Sequence, residues 1–292
     1  MSDLDNAIQE IICLTMEADT KPAETGIPRV LMIKGDVPNH QLKALYQPTI
    51  GFVVQGGKTL SIGGRTYHLN APSYFLLPMH VPVTGSVRPA GEGRPYLSVG
   101  LTLDHGVLQS LLRDIPAGLL PRTPREFSGC EADAEFVEAW VRILRLMKTP
   151  QDIPALAPVY EREILYRALM GKQGWYLRQL GLRESNVSRI AQTVEWLRKN
   201  YAEPIDVEEL AGEAGMAVTT FHRQFKHATG LSPIQFQKQL RLLEARNLLA
   251  FEGYAVSNAA YEVGYQSPSQ FNREYSRFFG KSPARDASAL RV

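Results

Sequence analysis

Several things are scarce or missing in this chain. It contains no run of eighteen apolar residues, the length a membrane-spanning helix needs. It has only two cysteines, Cys13 and Cys130, far apart and without a CxxC or His partner spacing. That excludes a disulfide framework and a zinc-finger pattern, and both read as free thiols of a reducing cytoplasm. No basic-then-apolar leader opens the chain, which starts with Asp3 and Asp5, so the expected location is cytoplasmic. No Ser-His-Asp elbow, Walker loop or dinucleotide fingerprint occurs. Charge of one sign is also in short supply. The net charge is +2: residues 1–185 carry 19 basic and 19 acidic side chains, and residues 186–292 carry 13 and 11. The composition therefore does not support nucleic-acid binding by bulk charge, and any such argument rests on where the charges sit.

What is present is a globular chain with a repeat. A length of 292 residues with 44% apolar content suits one large or two ordinary domains. Near the C-terminus Phe221/Phe271, Arg223/Arg273, Gly230/Gly280, Ser232/Ser282 and Pro233/Pro283 recur at an interval of 50. Ala211/Ala260 and Gly215/Gly264 recur at 49, so the second copy has one extra residue in its turn.

Each copy reads as helix, tight turn, helix. A small alanine lets the second helix pack close, and a glycine four residues later ends the first helix with a positive φ. That is the helix-turn-helix pattern. Phe221, Phe225 and Ala228, and then Phe271, Tyr275 and Phe278, form an apolar face at helical spacing. The opposite faces carry Thr219, His222, Arg223 and Lys226, and then Ser269, Asn272, Arg273 and Ser276, residue types that reach base edges and phosphates. Two such hairpins would also serve as plain core pieces. An arginine at the same outward place in both favours DNA. Base contacts are assigned to Thr219, His222, Arg223, Ser269, Asn272 and Arg273. Phosphate contacts are assigned to Thr220, Lys226, Ser267, Arg277 and Lys281.

The stretch Ala259-Ala260-Tyr261-Glu262-Val263-Gly264-Tyr265-Gln266-Ser267-Pro268-Ser269-Gln270-Phe271-Asn272-Arg273, followed by Phe278-Phe279-Gly280-Lys281-Ser282-Pro283, resembles the DNA-binding domain of AraC-type (AraC/XylS) bacterial transcription regulators. The resemblance covers about 189–286. It implies two helix-turn-helix units joined by one long helix, reading adjacent major-groove segments of double-stranded DNA. Ala217 stands where that family often has a serine cap.

Earlier in the chain, residues 4–18 have amphipathic helical spacing. From about 29 to 103 the texture is strands and turns. Lys58–Ile62 and Arg65–Leu69 alternate around Gly63-Gly64, a two-residue hairpin. Gly51–Gln55, Tyr74–Leu77 and Tyr96–Leu103 read as further strands of a small barrel or jelly roll. Tyr46-Gln47-Pro48, Val54-Gln55-Gly56-Gly57-Lys58, Gly63-Gly64-Arg65-Thr66-Tyr67, Pro82-Val83-Thr84-Gly85 and Arg94-Pro95-Tyr96-Leu97 resemble the cupin-like N-terminal domain of one AraC-type subfamily. That resemblance implies a sensing domain without naming an effector.

Metal cupins use a His-x-His pair with a Glu and a later His. Here His40, His68, His80 and His105 are isolated, so no metal and no cofactor is expected. The runner-up is nonetheless a cupin-type small-molecule enzyme with a DNA-binding tail, and a third reading is a non-specific architectural DNA binder. For an effector pocket the candidates are Tyr46, Phe52, Tyr67, Tyr74 and Phe75, with His80 or Arg94 as polar anchor. The alternative is that these side chains simply fill the barrel.

Beyond the strands, 134–147 carries Phe136, Val137, Trp140, Ile143, Leu144 and Met147 on one stripe. Pro150 and Pro154 end it, and 158–170 resumes. These helices are expected to cover the barrel and, by resemblance, to pair two subunits as a homodimer. Asp206, with Glu209 three residues on, marks a helix start, and residues 233–250 form the connecting helix. The expected fold class is α+β: a cupin-like β-barrel with flanking helices, then an all-α domain of two helix-turn-helix motifs joined by a long helix. The expected divisions are a helical arm (1–26), a sensing domain (27–115), a helical pairing segment (116–180), a linker (181–188) and a DNA-binding domain (189–292). Within the last, the motifs fall at about 206–229 and 255–279. A contact with RNA polymerase, and activation as against repression, stay open.

Overall fold

The computed structural model describes residues 2–16, 23–35, 42–123 and 128–290. The first element is α1 (Asp3–Thr15), and among the described residues ten strands follow in two antiparallel sheets. The strands are β1 (Ala23–Glu24), β2 (Val30–Gly35), β3 (Leu42–Tyr46), β4 (Thr49–Gln55), β5 (Gly57–Ile62), β6 (Arg65–Asn70), β7 (Ser73–Leu77), β8 (Val81–Arg88), β9 (Tyr96–Thr102) and β10 (Cys130–Glu131). One sheet runs β1-β2-β9-β4-β7-β10 and the other β3-β8-β5-β6. Gly63 and Gly64, with φ of 56° and 83°, close the β5–β6 hairpin as its two-residue turn requires.

The six-stranded sheet is buried on both faces. Val53, Phe75, Leu77 and Tyr96 point between the sheets with Leu60, Leu69 and Val83 of the other sheet. Ile50, Phe52, Val54, Tyr74 and Leu76 point the other way, against helices. Alternate side chains on a strand face opposite sides, so both sides here must be apolar. Five consecutive residues of β7 are buried, which hides the period-2 signal.

The helices α2 (His105–Asp114), α3 (Ala134–Arg145), α4 (Ile153–Met170) and α5 (Gly174–Gly181) complete the first half, with α1 and α3 lying against the outer face of that sheet. Trp140 and Phe136 are fully buried, and the Phe136 ring stacks on Tyr74 at 4.4 Å and meets Phe52 edge-on at 5.6 Å. Fully burying each such side chain contributes about 1.5–3 kcal/mol.

Three boundaries differ from expectation. The arm helix ends at Thr15, and residues 17 and 18 lie outside the described residues. Helix α4 starts at Ile153 rather than 158, because Pro154 sits in its first turn, where the missing N–H is not needed. The connection to the second half spans only residues 182–185, since α5 ends at Gly181 and the next helix begins at Asn186.

The second half contains α6 (Asn186–Lys199), α7 (Val207–Glu213), α8 (Val218–Thr229), α9 (Pro233–Ala250), α10 (Val256–Glu262), α11 (Pro268–Phe279) and α12 (Pro283–Leu290). Ser232 caps α9 in a reciprocal capping box with Gln235, and Pro233 takes its first turn. The helix runs as expected. The apolar cluster between the two sheets continues without a break into Ile190, Val194, Leu210, Phe221, Phe225 and Phe236 of the first helical unit. The second unit has its own core around Ala260, Val263, Phe271 and Tyr275.

Candidate nucleic-acid interface

The two helix-turn-helix units repeat bond for bond. In the first, Gly215 N donates to Gly212 O and Met216 N to Ala211 O, both at 2.9 Å. In the second, Gly264 N donates to Tyr261 O and Tyr265 N to Ala260 O, again both at 2.9 Å. Gly215 and Gly264 have φ of 62° and 87°, the left-handed conformation that a side chain disfavours. Ala211 and Ala260 are fully buried under the second helices. The additional residue of the second turn is Gln266, between Tyr265 and the cap Ser267.

Helices α8 and α11 bury one side and expose the other. Phe221, Phe225, Phe271 and Tyr275 have no accessible surface. Thr219, His222, Arg223 and Lys226 are exposed on α8, with Thr220 half-buried. Ser269, Asn272, Arg273 and Arg277 are exposed on α11, as is Lys281 just beyond it. Ser267 is half-buried and caps α11, its hydroxyl oxygen accepting from Gln270 N at 3.4 Å. Asn272 Nδ2 donates to Pro268 O at 3.0 Å. Ala217 makes no side-chain cap on α8.

Charge pairing sets the outward faces of α8 and α11 apart. Elsewhere many cations meet carboxylates: Arg29 pairs with Glu161, Arg142 with Glu163, Arg145 with Glu10, Arg162 with Asp114, Arg167 with Glu135, Arg198 with Glu195, Lys238 with Glu274 and Arg246 with Asp286. Among the described residues Arg223, Lys226, Arg273, Arg277 and Lys281 have no ion pair and no hydrogen-bond acceptor. These cations are free to meet phosphates or guanine edges.

The effector candidates do not come together. Phe52 and Tyr74 leave the set, because their register on β4 and β7 turns them outward onto Phe136 of α3. Tyr67, half-buried on β6, shares its inward face with buried Leu69. Tyr46 and Phe75 lie instead around Lys58, which is buried inside the barrel. Its Nζ stands 5.0 Å from the Tyr46 ring, 5.4 Å from Phe75 and 6.0 Å from Tyr96, a cation held over aromatic faces. Lys58 shares the inward face of β5 with Leu60, and that alternation is the signal that could have found it.

His80 is not in the barrel interior. Its Nδ1 stands 3.4 Å from Glu195 Oε2 of α6, at the junction of the halves. Arg94 sits on the β8–β9 turn, donating to Ala90 O, beside a cavity of about 680 Å³ that Lys34 and Arg88 also line. A groove of about 410 Å³ brings Trp175 and Tyr176 of α5 beside Arg223 and His227 of α8. No group of three metal-ligating side chains converges among the described residues, and His40 lies outside them.

Two family models match the chain. Residues 26–176 match the AraC-type transcriptional regulator N-terminus, and residues 210–287 match a helix-turn-helix domain. The chain belongs to the AraC-type transcriptional regulators. Among its AraC-type relatives is the HTH-type transcriptional activator RhaS of Citrobacter koseri, 35% identical over 135 residues, which are 45% of this chain and 46% of the relative. RhaS of Yersinia pestis is 33% identical over 109 residues, 37% of this chain and 40% of the relative. The matched segments thus span less than half the length of these relatives. The fold extends to ToxT of Vibrio cholerae, with a TM-score of 0.57 at 12% identity over 90% of this chain and 98% of that one. Both halves of the expected fold, the antiparallel β unit and the all-α unit of two helix-turn-helix motifs, are present in this AraC-type chain. No helix of the described residues is long and apolar enough to cross a membrane.

Proposed function

We propose that this AraC-type regulator binds double-stranded promoter DNA through α8 and α11, each entering one of two adjacent major-groove segments. The unpaired cations on the outward faces of these two matched helices carry the reading. Arg223 and Arg273 suit bidentate contacts to guanine, with Thr219, His222, Ser269 and Asn272 beside them. Lys226, Arg277 and Lys281, with Thr220 and Ser267, suit phosphates. The RhaS relatives' description as transcriptional activators favours activation. A contact with RNA polymerase, in the cytoplasm, belongs to the same reading. Residues 27–115 are the sensing unit in this reading, 116–180 pair subunits and 189–292 read DNA. ToxT has been seen with an unsaturated fatty acid bound, which favours a small-molecule effector for the β unit here as well.

Footprinting full-length protein at physiological salt, beside Arg223→Ala and Arg273→Ala, tests the DNA reading. Two adjacent protected segments are expected, with each variant losing about 1–3 kcal/mol of discrimination at its own segment only. Uniform weakening across unrelated sequences would instead mark both arginines as phosphate contacts.

Pairing into a homodimer rests on α4. Leu156, Val159, Tyr166 and Met170 are 36%, 58%, 37% and 38% exposed. Their spacing places them on one stripe of the helix. In this reading Val159→Glu turns a dimer into a monomer in sedimentation velocity, and an unchanged sedimentation coefficient would remove α4 from the interface.

A further inference from the structure

The repeat extends to a side chain outside the helix-turn-helix motifs. Helix α6 precedes the first motif and α9 precedes the second. From α6, Arg189 Nη1 donates to the carbonyls of Ala214 and Gly215, each at 3.3 Å. From α9, Arg241 Nη1 donates to Gly264 O at 2.9 Å. Gly215 and Gly264 are the equivalent turn glycines, so each unit has a guanidinium fastened to its own turn.

Arg241 does something that Arg189 does not. Its Nε donates to Tyr201 O at 2.7 Å, and its Nη2 to Ala202 O at 3.0 Å and Glu203 O at 3.1 Å. Those carbonyls belong to the first unit, in the segment that follows α6. Gln237, one helical turn before Arg241, adds bonds from Nε2 to Tyr201 O at 3.0 Å and Glu203 O at 2.5 Å. The two units also touch directly: a Cβ on Gly264 would lie 2.2 Å from Ala202 O. Tyr201 packs against the cores of both units.

A helix such as α9 fixes the distance between two units. It leaves their rotation about its ends to whatever else holds them. A guanidinium is a planar fork of five donors with fixed directions. Bonded to four carbonyls from two units, it fixes the angle between them. A lysine ammonium is a point charge on a flexible stem and would not impose that plane. On DNA the angle between two reading helices sets the register of the second half-motif relative to the first.

We infer that Arg241 is a positioning residue that fixes the angle between the two helix-turn-helix units, and thereby the number of base pairs the protein accepts between its two half-motifs. The inference rests on the reading that α8 and α11 both contact DNA.

The test is selection from a random duplex library with the full-length protein, Arg241→Met, Arg241→Lys and Arg189→Met, scored by the spacing between half-motifs. The wild type and Arg189→Met are expected to hold one spacing and to reject a one-base shift by about tenfold. Arg241→Met and Arg241→Lys are expected to keep both half-motifs but to reject the shift by only about twofold, since the base contacts themselves are intact. If both Arg241 variants hold the single spacing as tightly as the wild type, the inference is wrong while the DNA reading stands. If Arg241→Met fails to fold by circular dichroism, Arg241→Lys is scored by the same spacing readout. If the wild type selects no two-part motif, the two-unit reading fails, and this inference with it.

Discussion

Asp286 illustrates how much one residue can hold. It is 2% exposed, and its carboxylate accepts from Arg246 Nε at 2.8 Å, Arg246 Nη2 at 3.3 Å and the Tyr275 hydroxyl at 3.0 Å. Burial first, and then the neighbouring Asp286 charge, pushes the Tyr275 phenol up, so it stays a donor. The Arg246 guanidinium also lies 4.7 Å from the centre of the Phe279 ring. Helices α9, α11 and α12 meet at this point. Asp286→Ala leaves a half-buried cation and a buried phenol without this acceptor, and urea unfolding is expected to show a loss of about 3 kcal/mol. A change within the noise would mean that water replaces the carboxylate. Nothing in the local sequence marks this aspartate, which stands in a short alanine-rich C-terminal helix. The outward arginines 223 and 273 were legible, because a repeat compares each position with its twin.

At the scale of elements, the twin glycines Gly230 and Gly280 separate local from tertiary demands. Both have φ of 75°, and their amides accept the same role, donating to Lys226 O and Ser276 O at 2.8 Å. Nothing lies within 4 Å of a Cβ on Gly280, whereas a Cβ on Gly230 would lie 2.5 Å from the Gly63 Cα of the β5–β6 hairpin. Gly280→Ala should therefore cost only the left-handed penalty of about 1–2 kcal/mol. Gly230→Ala should cost about 1–3 kcal/mol more, because two backbones must move apart. Urea midpoints of the two variants measure the difference, and equal losses would mean that the hairpin does not press on the first unit in solution. The glycine repeat was visible in the sequence, but the asymmetry between its two copies was not. It comes from a strand hairpin more than 160 residues earlier in the chain.

For the whole molecule, the two halves are coupled through the sheet and α6. Lys43 of β3 donates to Phe278 O at the end of α11 and sits 4.3 Å from the Phe278 ring. His80, following β7, faces Glu195 and Arg198 of α6. Burial holds the His80 pKa below its ordinary 6.5, against the pull of Glu195 and with the push of Arg198. As the pH falls below 6.5, the unfolded chain therefore takes up this proton before the folded one does. The stability tied to neutral His80 is full above that pH and is lost below it, down to the pH at which the folded imidazole itself protonates. Melting temperatures from pH 7 to pH 5 should fall more steeply for the wild type than for His80→Gln. Parallel slopes would show that His80 does not report on the junction.

The sequence by itself determined the elements whose signals are local or repeated. The β5–β6 hairpin follows from its glycine pair, and the two helix-turn-helix units, with the helix α9 between them, from the constant interval between their copies. It also placed the outward cations of α8 and α11, since helical periodicity alone separates their faces. Tertiary structure decided everything that depends on two buried sides or on partners distant in the chain. Phe52 and Tyr74 turned outward because both faces of their sheet are covered, so composition no longer told inside from outside. Lys58 replaced the expected polar anchors inside the barrel, and His80 moved to the junction. The role of Arg241 likewise emerged only from its acceptors, because backbone carbonyls carry no residue type for a sequence pattern to reveal.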